Sequence, residues 1–200
     1  MYDVNMTRAT YHHGDLRAAL LRSALELLES SGSDGLSLRA VARAAGVSPN
    51  APYRHYADKE ALLAALAVHG FGEMAERVIA ALATAAPEDL VVVVVTEGVR
   101  HGLANPGLHQ LMVDSTCSTR PEVQEASARA LAEVAASLGV TTTCTDETGA
   151  LATGVWALVH GLYALLRDGA VRPGPGEDVD ALVARIVRAT VGPLPGVAGA

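Results

Sequence analysis

The sequence predicts an all-α fold, and three of its features lead to that expectation. Apolar residues recur every three or four positions through most of the 200-residue chain, which is the spacing of an amphipathic helix. The apolar residues are mostly alanine, valine and leucine, whereas aromatic residues make up only 4% of the chain. The one run that favours a strand, residues 91–95, has no second strand to pair with. We therefore expect about nine helices and no sheet.

Two helices are predicted before residue 47, each with its own start and stop signals. The first begins at Asp15, carries a stripe of leucines and alanines, and stops at Gly32. The second has Ser37 as its N-cap residue and stops at Gly46. Both stops are glycines because the residue after a helix often adopts a left-handed conformation.

A third short helix is predicted from the two prolines that follow. If Ser48 is the N-cap residue, Pro49 takes the first helical position, where a missing N–H costs nothing. Pro52 then falls at the fourth position, where only one hydrogen bond is lost. Two short helices joined by a turn at Gly46 are typical of a helix-turn-helix.

The remainder of the chain is also predicted to be helical. Asp58 is the expected N-cap residue of a long helix. Gly70 and Gly72 are candidates for a bend within this helix, and the alternatives are fraying of the helix or packing against a neighbour. Proline or acidic residues begin several of the later segments, as is usual at the positive end of a helix. The expected later helices cover residues 87–104, 106–114, 121–139, 146–169 and 177–191.

Charge and composition restrict the class of protein. The net charge is −7, but residues 1–60 contain seven basic and seven acidic residues, so the negative excess lies in the remainder. Uneven charge of this kind is a weak indication of nucleic-acid contact. We see no signal peptide or membrane-spanning run and expect a cytoplasmic protein. Cys117 and Cys144 have no metal-ligand spacing and are expected to be buried hydrophobes.

No motif for catalysis, phosphate binding or metal binding is found in the sequence. The seven histidines are scattered, and neither an H-E-x-x-H nor a C-x-x-C pattern occurs. We therefore expect no enzyme activity, no metal site and no cofactor.

The helix-turn-helix directs attention to DNA. Its second helix enters the major groove, where an asparagine can pair with adenine and an alanine can touch a thymine methyl group. Tyrosine, histidine and lysine side chains suit phosphates. The candidates are Ser48, Asn50, Ala51, Tyr53, Arg54, His55 and Lys59, with Arg39 on the preceding helix and Arg8, His12, His13 and Arg17 forming an N-terminal arm. The alternative is that each polar residue is only solvated.

Residues 14–66 resemble the N-terminal domain of TetR-family transcriptional regulators. The resemblance is carried by G-L-S-L-R-A-V-A, A-G-V-S and Y-x-H-Y-x-D-K-E-A-L-L, with their spacings kept over about fifty residues. Pro52 departs from the pattern, because many members carry leucine or isoleucine before the tyrosine. The resemblance implies DNA contact by Ser37, Arg39, Asn50, Ala51, Tyr53, His55 and Lys59.

The C-terminal part contains WALVHGL, which resembles the W-x-x-x-H-G signature of the WHG-type C-terminal domain. Trp156 and His160 share a helix face, and Tyr163 lies beside them. These side chains either form the wall of a ligand pocket or are core residues that stabilise the packing of the last two helices. His109, Met112 and Cys117 are further pocket candidates, and each could equally be a core residue.

Together these features predict a DNA-binding domain over residues 1–57, a ligand-binding and dimerisation domain over 58–195, and a tail over 196–200. We expect a repressor that binds a palindromic double-stranded operator as a homodimer, paired through its last two long helices. A small, largely apolar effector would release it. Two alternatives remain open, namely a DNA-binding protein without an effector, with a solid core around Trp156, and a helical enzyme.

Overall fold

The computed structural model describes residues 13–139 and 147–191, and within them it confirms the all-α prediction. The described residues contain no strand, and 3₁₀ turns cover Pro52–Arg54 and Pro87–Asp89. Nine α-helices are found in these residues: α1 (His13–Gly35), α2 (Leu38–Ala44), α3 (Lys59–Leu82), α4 (Leu90–Ala104), α5 (Pro106–Val113), α6 (Ser115–Ser118), α7 (Pro121–Ser137), α8 (Glu147–Arg167) and α9 (Val179–Thr190).

The chain forms two compact units, which divide after Leu66. This division falls inside α3, whereas the domain boundary was placed at 57/58 from the position of Asp58. The assignment of residues 58–195 to one functional domain stays a prediction. The tail at 196–200 and Cys144 lie outside the described residues.

The first unit confirms most of the predicted helix signals. Gly32 has a φ of 68°, which interrupts the helical conformation of α1 at the predicted stop, although α1 begins at His13 rather than Asp15. Ser37 caps α2 by accepting a hydrogen bond of 3.1 Å from the backbone N–H of Ala40. Gly46 ends this helix with a φ of 66°.

The predicted α-helix from Ser48 was wrong. The backbone N–H of Ala51 bonds the Ser48 carbonyl at 2.9 Å, and a 3₁₀ turn then begins with Pro52 at its first position. Pro52 has no N–H to give the Ser48 carbonyl, so the α-helical bond at this point cannot form and the shorter bond from Ala51 replaces it. The second half of the helix-turn-helix is therefore a pair of tight turns, followed by α3, which Asp58 caps through a bond of 2.7 Å from the Ala61 N–H.

In the second unit, α8 and α9 both pack on α4. The valine run proved to be helical, and Val91, Val95 and Val99 lie on the buried face of α4 with Val159 of α8 and Val183 of α9. Glycines make the approach of α8 possible. A Cβ at Gly98 would lie 2.8 Å from a Val159 methyl carbon, and one at Gly102 would lie 2.7 Å from the Tyr163 ring.

Helix α3 runs unbroken through Gly70 and Gly72, so neither glycine marks a break in it. Gly70 allows a close contact, because a Cβ there would lie 2.7 Å from the Met112 sulfur and 3.1 Å from Leu108. Gly72 faces open space. Packing against a neighbour therefore describes Gly70, and a bend of α3 at these glycines stays a prediction.

One stretch, Ala150–Arg167 of α8, is long and apolar enough to cross a membrane by length and composition, although no such run was expected. Its mean hydropathy is 1.3, and only 17% of it is buried inside the chain. A core helix of a soluble protein meets the same criterion, but it would be mostly buried. Helix α8 thus leaves apolar surface uncovered in the single chain.

Candidate functional site

The segment predicted to meet DNA faces solvent in the first unit. Tyr53 is 51% exposed, and Ser48, Asn50 and Arg54 are also exposed, whereas Ala51 and His55 are half-buried. The segment is held by Pro52 and Tyr56, both of which are buried in the core of this unit. Because Pro52 and Tyr56 point inward, the side chains between them are presented at the surface.

A concave surface lies between α2 and this segment. It is lined by Arg39, Arg43, Val47, Pro49, Asn50 and Tyr53. The other predicted DNA-contact residues do not line it; Arg17 and Ser37 are exposed and Lys59 is half-buried. Arg8 and His12, and the side chain of His13, lie outside the described residues.

The sequence prediction missed Arg43, Val47 and Pro49 of this surface, and Arg43 is the charged one among them. It lies four positions after Arg39 on α2, and side chains at that spacing share a helix face. Applying the spacing rule to α2 would have found it. Two arginines and an asparagine on one concave surface are suited to phosphates and base edges.

The basic side chains of this unit are available to a partner. Within the described ranges, Arg17, Arg39, Arg43, Arg54 and Lys59 make no ion pair with an acidic side chain. A cation that is not already paired can neutralise a phosphate without first giving up a protein contact.

The second unit contains an open cleft of about 790 Å³. Helices α5, α7 and α8 supply most of its lining, and α3 contributes Phe71. Five of the six predicted ligand residues line it, and the sixth, Cys117, is buried without lining it. The five are His109, Met112, Trp156, His160 and Tyr163. Their role in ligand binding remains a prediction.

Several polar residues of the cleft were not predicted from the sequence. Gln110 and Gln124 line it, and so does Arg167, whose Nη1 donates a 3.0 Å hydrogen bond to Gln110 Oε1. Arg167 lies four residues after Tyr163 on α8, and its guanidinium lies 5.4 Å from that ring. Gln124 gave no signal in the sequence, because its place in the cleft depends on how α7 packs.

A chain of ring contacts crosses the wall of the cleft. Phe71 stacks on Trp156 with ring centroids 5.9 Å apart, and the Trp156 ring meets His160 edge-on at 4.3 Å. His160 Nδ1 lies 3.1 Å from His109 Nε2, and the His109 ring lies 3.8 Å from Tyr163. The tryptophan and histidine of the WALVHGL motif therefore lie on a cleft wall and also form part of a packed aromatic network.

Burial controls the charge of the two histidines. Desolvation lowers the pKa of His109 to about 3, with repulsion from His160, His101 and Arg167 adding to the effect. Desolvation also lowers the pKa of His160. The pKa of Arg167 is raised, chiefly by its hydrogen bond to Asp168. At neutral pH the cleft therefore holds two neutral imidazoles and one cation, and no group of three or more potential metal ligands is found among the described residues.

A second, smaller cavity, the inner cavity, lies beside the cleft and has a volume of about 100 Å³. Every residue that lines it is apolar, and these residues come from α3, α4, α7 and α8, together with Leu138, which follows the last residue of α7. Trp156 and Leu131 border both spaces. Trp156 thus lies between an apolar cavity and a cleft with polar groups.

Comparison with known proteins assigns both halves of the chain. Residues 20–66 match the model of bacterial regulatory proteins of the tetR family, and residues 91–190 match that of a tetracyclin repressor-like C-terminal domain. The chain belongs to the tetR family. The helix-turn-helix of this tetR-family regulator is the DNA-binding domain of the family, and α4–α9, with most of the cleft, fall within the C-terminal match.

Individual proteins share sequence or fold with this chain. The class C tetracycline repressor protein of Escherichia coli is 49% identical over 51 residues, which are 26% of this chain and 23% of that protein. A solved protein of unknown function from Rhodococcus sp. RHA1 is 29% identical, with a TM-score of 0.71 over 90% of this chain and 95% of that one. The fatty acid degradation regulator FadR of Bacillus halodurans shares the fold, with a TM-score of 0.69 at 17% identity over 92% of this chain and 99% of its own.

Proposed function

We propose that this tetR-family protein is a cytoplasmic, ligand-responsive repressor that binds a palindromic operator as a homodimer and is released by a small molecule. The observation that carries the proposal is the cleft of about 790 Å³ beside Trp156. Ligand sites are usually preformed concavities of about 300–1,000 Å³ with a few convergent polar groups. A DNA-binding protein without an effector would be expected to have a solid core there.

The concave surface of the first unit would contact the operator. Asn50 is suited to an adenine edge, and Arg39 to a guanine or a phosphate. Arg43, Arg54 and Tyr53 are suited to the backbone, which fixes the register of the protein on the duplex without reading sequence. Each protomer presents few cations, so we expect a moderate salt dependence, with a slope of about −0.9 for each phosphate neutralised.

The uncovered face of α8 supports a homodimer through α8 and α9. Gly154, Ala157, Gly161 and Leu165 are exposed and recur every three or four residues along one side of the helix. A Cβ at Gly154 or Gly161 would meet nothing within 4 Å, so a second helix has room to approach closely. A two-fold pairing of this face would bury the apolar surface. The concave surface of the first unit, the reading surface, would then be present twice in the dimer, as a palindrome requires.

Helix α3 offers a route from ligand to DNA. It starts in the first unit and contributes Phe71 to the cleft and Met74 to the inner cavity. A ligand that contacts Phe71 therefore acts on the helix that follows the DNA-binding segment. A complete switch from 1:99 to 99:1 needs an affinity difference of about 10⁴-fold between the two states.

The proposal is tested by operator release. Genomic fragments that the purified protein retains are labelled, and their fluorescence anisotropy is followed while fractions of a metabolite extract are added. We expect at least one fraction to lower the affinity for a retained fragment. Retained fragments whose affinity no fraction changes would favour the repressor without an effector, and failure to retain any fragment would contradict DNA binding itself.

A further inference from the structure

We propose that the cleft binds an amphiphilic carboxylate, whose head accepts a hydrogen bond from His160 and whose thin apolar tail passes Trp156 into the inner cavity. The inference rests on the ligand site of the proposed function and specifies its chemistry. His109 is assigned as a positioning residue, because it would act on the ligand through His160.

The paired imidazoles carry the argument for the head group. His160 Nδ1 and His109 Nε2 lie 3.1 Å apart, so one nitrogen donates and the other accepts. Each ring then has one nitrogen left. His109 Nδ1 and His160 Nε2 are both buried, and neither has a hydrogen-bond partner among the described residues.

The surroundings of His109 decide which tautomer is preferred. A Cβ on Gly102 would lie only 2.9 Å from His109 Nδ1, so this nitrogen faces the close-packed backbone of α4. Either position of the shared proton leaves one N–H and one lone pair without a partner, and a buried N–H without an acceptor is rarer than a buried lone pair without a donor. The unpartnered N–H is therefore less costly on the ring that is less enclosed. His109 is 1% exposed, whereas His160 is half-buried. The favoured arrangement leaves a lone pair on His109 Nδ1 and places the proton on Nε2, which donates to His160 Nδ1. His160 then keeps its own proton on Nε2.

His160 thus has a donor without an acceptor, on a ring that lines the cleft. A ligand oxygen would supply the missing acceptor and recover the cost of the buried N–H. Because this Nε2 is buried, side chains around it have to rearrange to admit the oxygen. Trp156 lines the same cleft and meets the His160 ring edge-on, with ring centroids 4.3 Å apart.

Charge favours an anionic head over a cationic one. Arg167 is the one charged side chain among the described residues that line the cleft, and the two imidazoles are neutral at pH 7. The Arg167 Nε is paired with Asp168, which does not line the cleft, whereas its Nη1 bonds the neutral Gln110 of the cleft wall. An ammonium head would offer a donor to the Nε2–H and would be repelled by Arg167. A carboxylate offers acceptors to the Nε2–H and is attracted by Arg167.

The inner cavity determines the shape of the tail. Its volume of about 100 Å³ is smaller than the roughly 150 Å³ cavity that accepts a benzene ring. All its walls are apolar, so it favours a narrow alkyl chain over a ring or a polar group. Since Trp156 borders both spaces, a single extended molecule can occupy the cleft and the cavity together.

A direct binding assay is available because Trp156 is the single tryptophan of the chain. Its fluorescence is followed, with calorimetry in parallel, while hexanoate, hexylamine or hexanol is added to the full-length protein. We expect hexanoate to bind at least about tenfold more tightly than hexylamine or hexanol, as a charge-assisted hydrogen bond allows. Equal binding of the three probes, or no binding of hexanoate, would overturn the proposal.

The positioning role of His109 is tested by its tautomer. In protein labelled with ¹⁵N-histidine, long-range ¹H–¹⁵N spectra should show the proton of His160 on Nε2 and a bare Nδ1 on His109. In His109→Leu the preference for hexanoate should fall severalfold, while His109→Gln, whose amide can still donate to His160 Nδ1, should keep most of it. A His160 ring protonated on Nδ1, or equal preference in the two variants, would overturn the assignment.

The two proposals fail in different ways. Hexanoate that binds beside Trp156 without releasing operator DNA would leave the ligand chemistry intact and contradict the effector-controlled repressor. Release of the operator by a cationic or purely apolar ligand acting in the cleft, with no response to carboxylates, would support the repressor and overturn the inference made here.

Discussion

At the scale of single residues, His109 shows how burial sets chemistry. Its side chain is 1% exposed, and its pKa is lowered to about 3, mainly because the charged form would lose its hydration. In the unfolded chain a histidine titrates near pH 6.5. Between these values the unfolded state binds a proton that the folded state does not, so protonation favours unfolding as the pH falls.

Protonation of His109 should therefore destabilise the folded protein in acid. The free energy of unfolding should be highest near neutral pH and should fall as the pH drops below about 6.5, by up to about 1.4 kcal/mol per pH unit for this one proton. Urea denaturation at a series of pH values measures the slope. His109→Gln should have a shallower slope than the wild type, whatever its stability at pH 7. Parallel slopes would show that His109 is not the group that titrates.

Arg39 and Arg43 of the reading surface are each expected to contribute to DNA binding. Arg39→Ala and Arg43→Ala should each weaken operator binding and reduce the salt slope by about 0.9 if the lost contact is to a phosphate. Arg129→Ala removes the same charge from an exposed position on α7 and serves as the matched control. Filter binding over a range of salt concentrations measures both quantities. Unchanged operator affinity in both α2 variants would contradict the assignment of this surface to DNA binding.

At the scale of elements, the predictions that held were those with a local cause. Ser37, Gly32, Gly46 and Asp58 act through their own backbone neighbourhood, so their positions in the sequence were enough to predict them. The helical form of the valine run was also predictable, because a lone strand has no partner for its backbone groups.

The misjudged element was the segment after Ser48. A count of lost hydrogen bonds allowed an α-helix through Pro52, but the alternative bond from Ala51 to the Ser48 carbonyl makes the tight turn equally available. The cleft was predictable only in part. Trp156, His160 and Tyr163 share a helix face that the sequence reveals, whereas Phe71 and Gln124 come from helices whose packing it does not specify.

Helix α3 offers a matched pair of glycines for a test of packing. Gly70→Ala should destabilise the fold by about 1–3 kcal/mol, because its Cβ would overlap the Met112 sulfur and Leu108. Gly72→Ala meets open space and should instead stabilise by up to about 1 kcal/mol through helix propensity. Thermal and urea denaturation compare the two. A Gly70→Ala variant as stable as Gly72→Ala would mean that the contact with α5 is loose.

At the scale of the whole molecule, the uncovered side of α8 is the feature that the single chain leaves unexplained. Ala150–Arg167 is apolar enough to cross a membrane, yet only 17% of it is buried within the chain. We expect a second copy of the chain to cover this face, because contact would remove its apolar surface from water. Pairing would link the two reading surfaces and make operator symmetry a consequence of protein symmetry.

The dimer is tested by a matched pair of exposed alanines. Ala157→Glu places a charge on the proposed interface of α8, whereas Ala132→Glu places it on the exposed side of α7. We expect the first variant to sediment as a monomer and lose operator affinity, and the second to behave as the wild type. A dimer that survives Ala157→Glu unchanged would place the interface elsewhere.

We expect a two-fold dimer to bind DNA through the surface around Arg39, Asn50 and Tyr53. Selection of duplexes from a random-sequence pool by the purified protein tests it most directly. We expect enrichment of a two-fold-symmetric sequence with half-sites about one helical turn apart, or a multiple of it, and loss of that enrichment in Arg39→Ala/Tyr53→Ala. An enriched sequence without symmetry, or the same enrichment by the double variant, would contradict it.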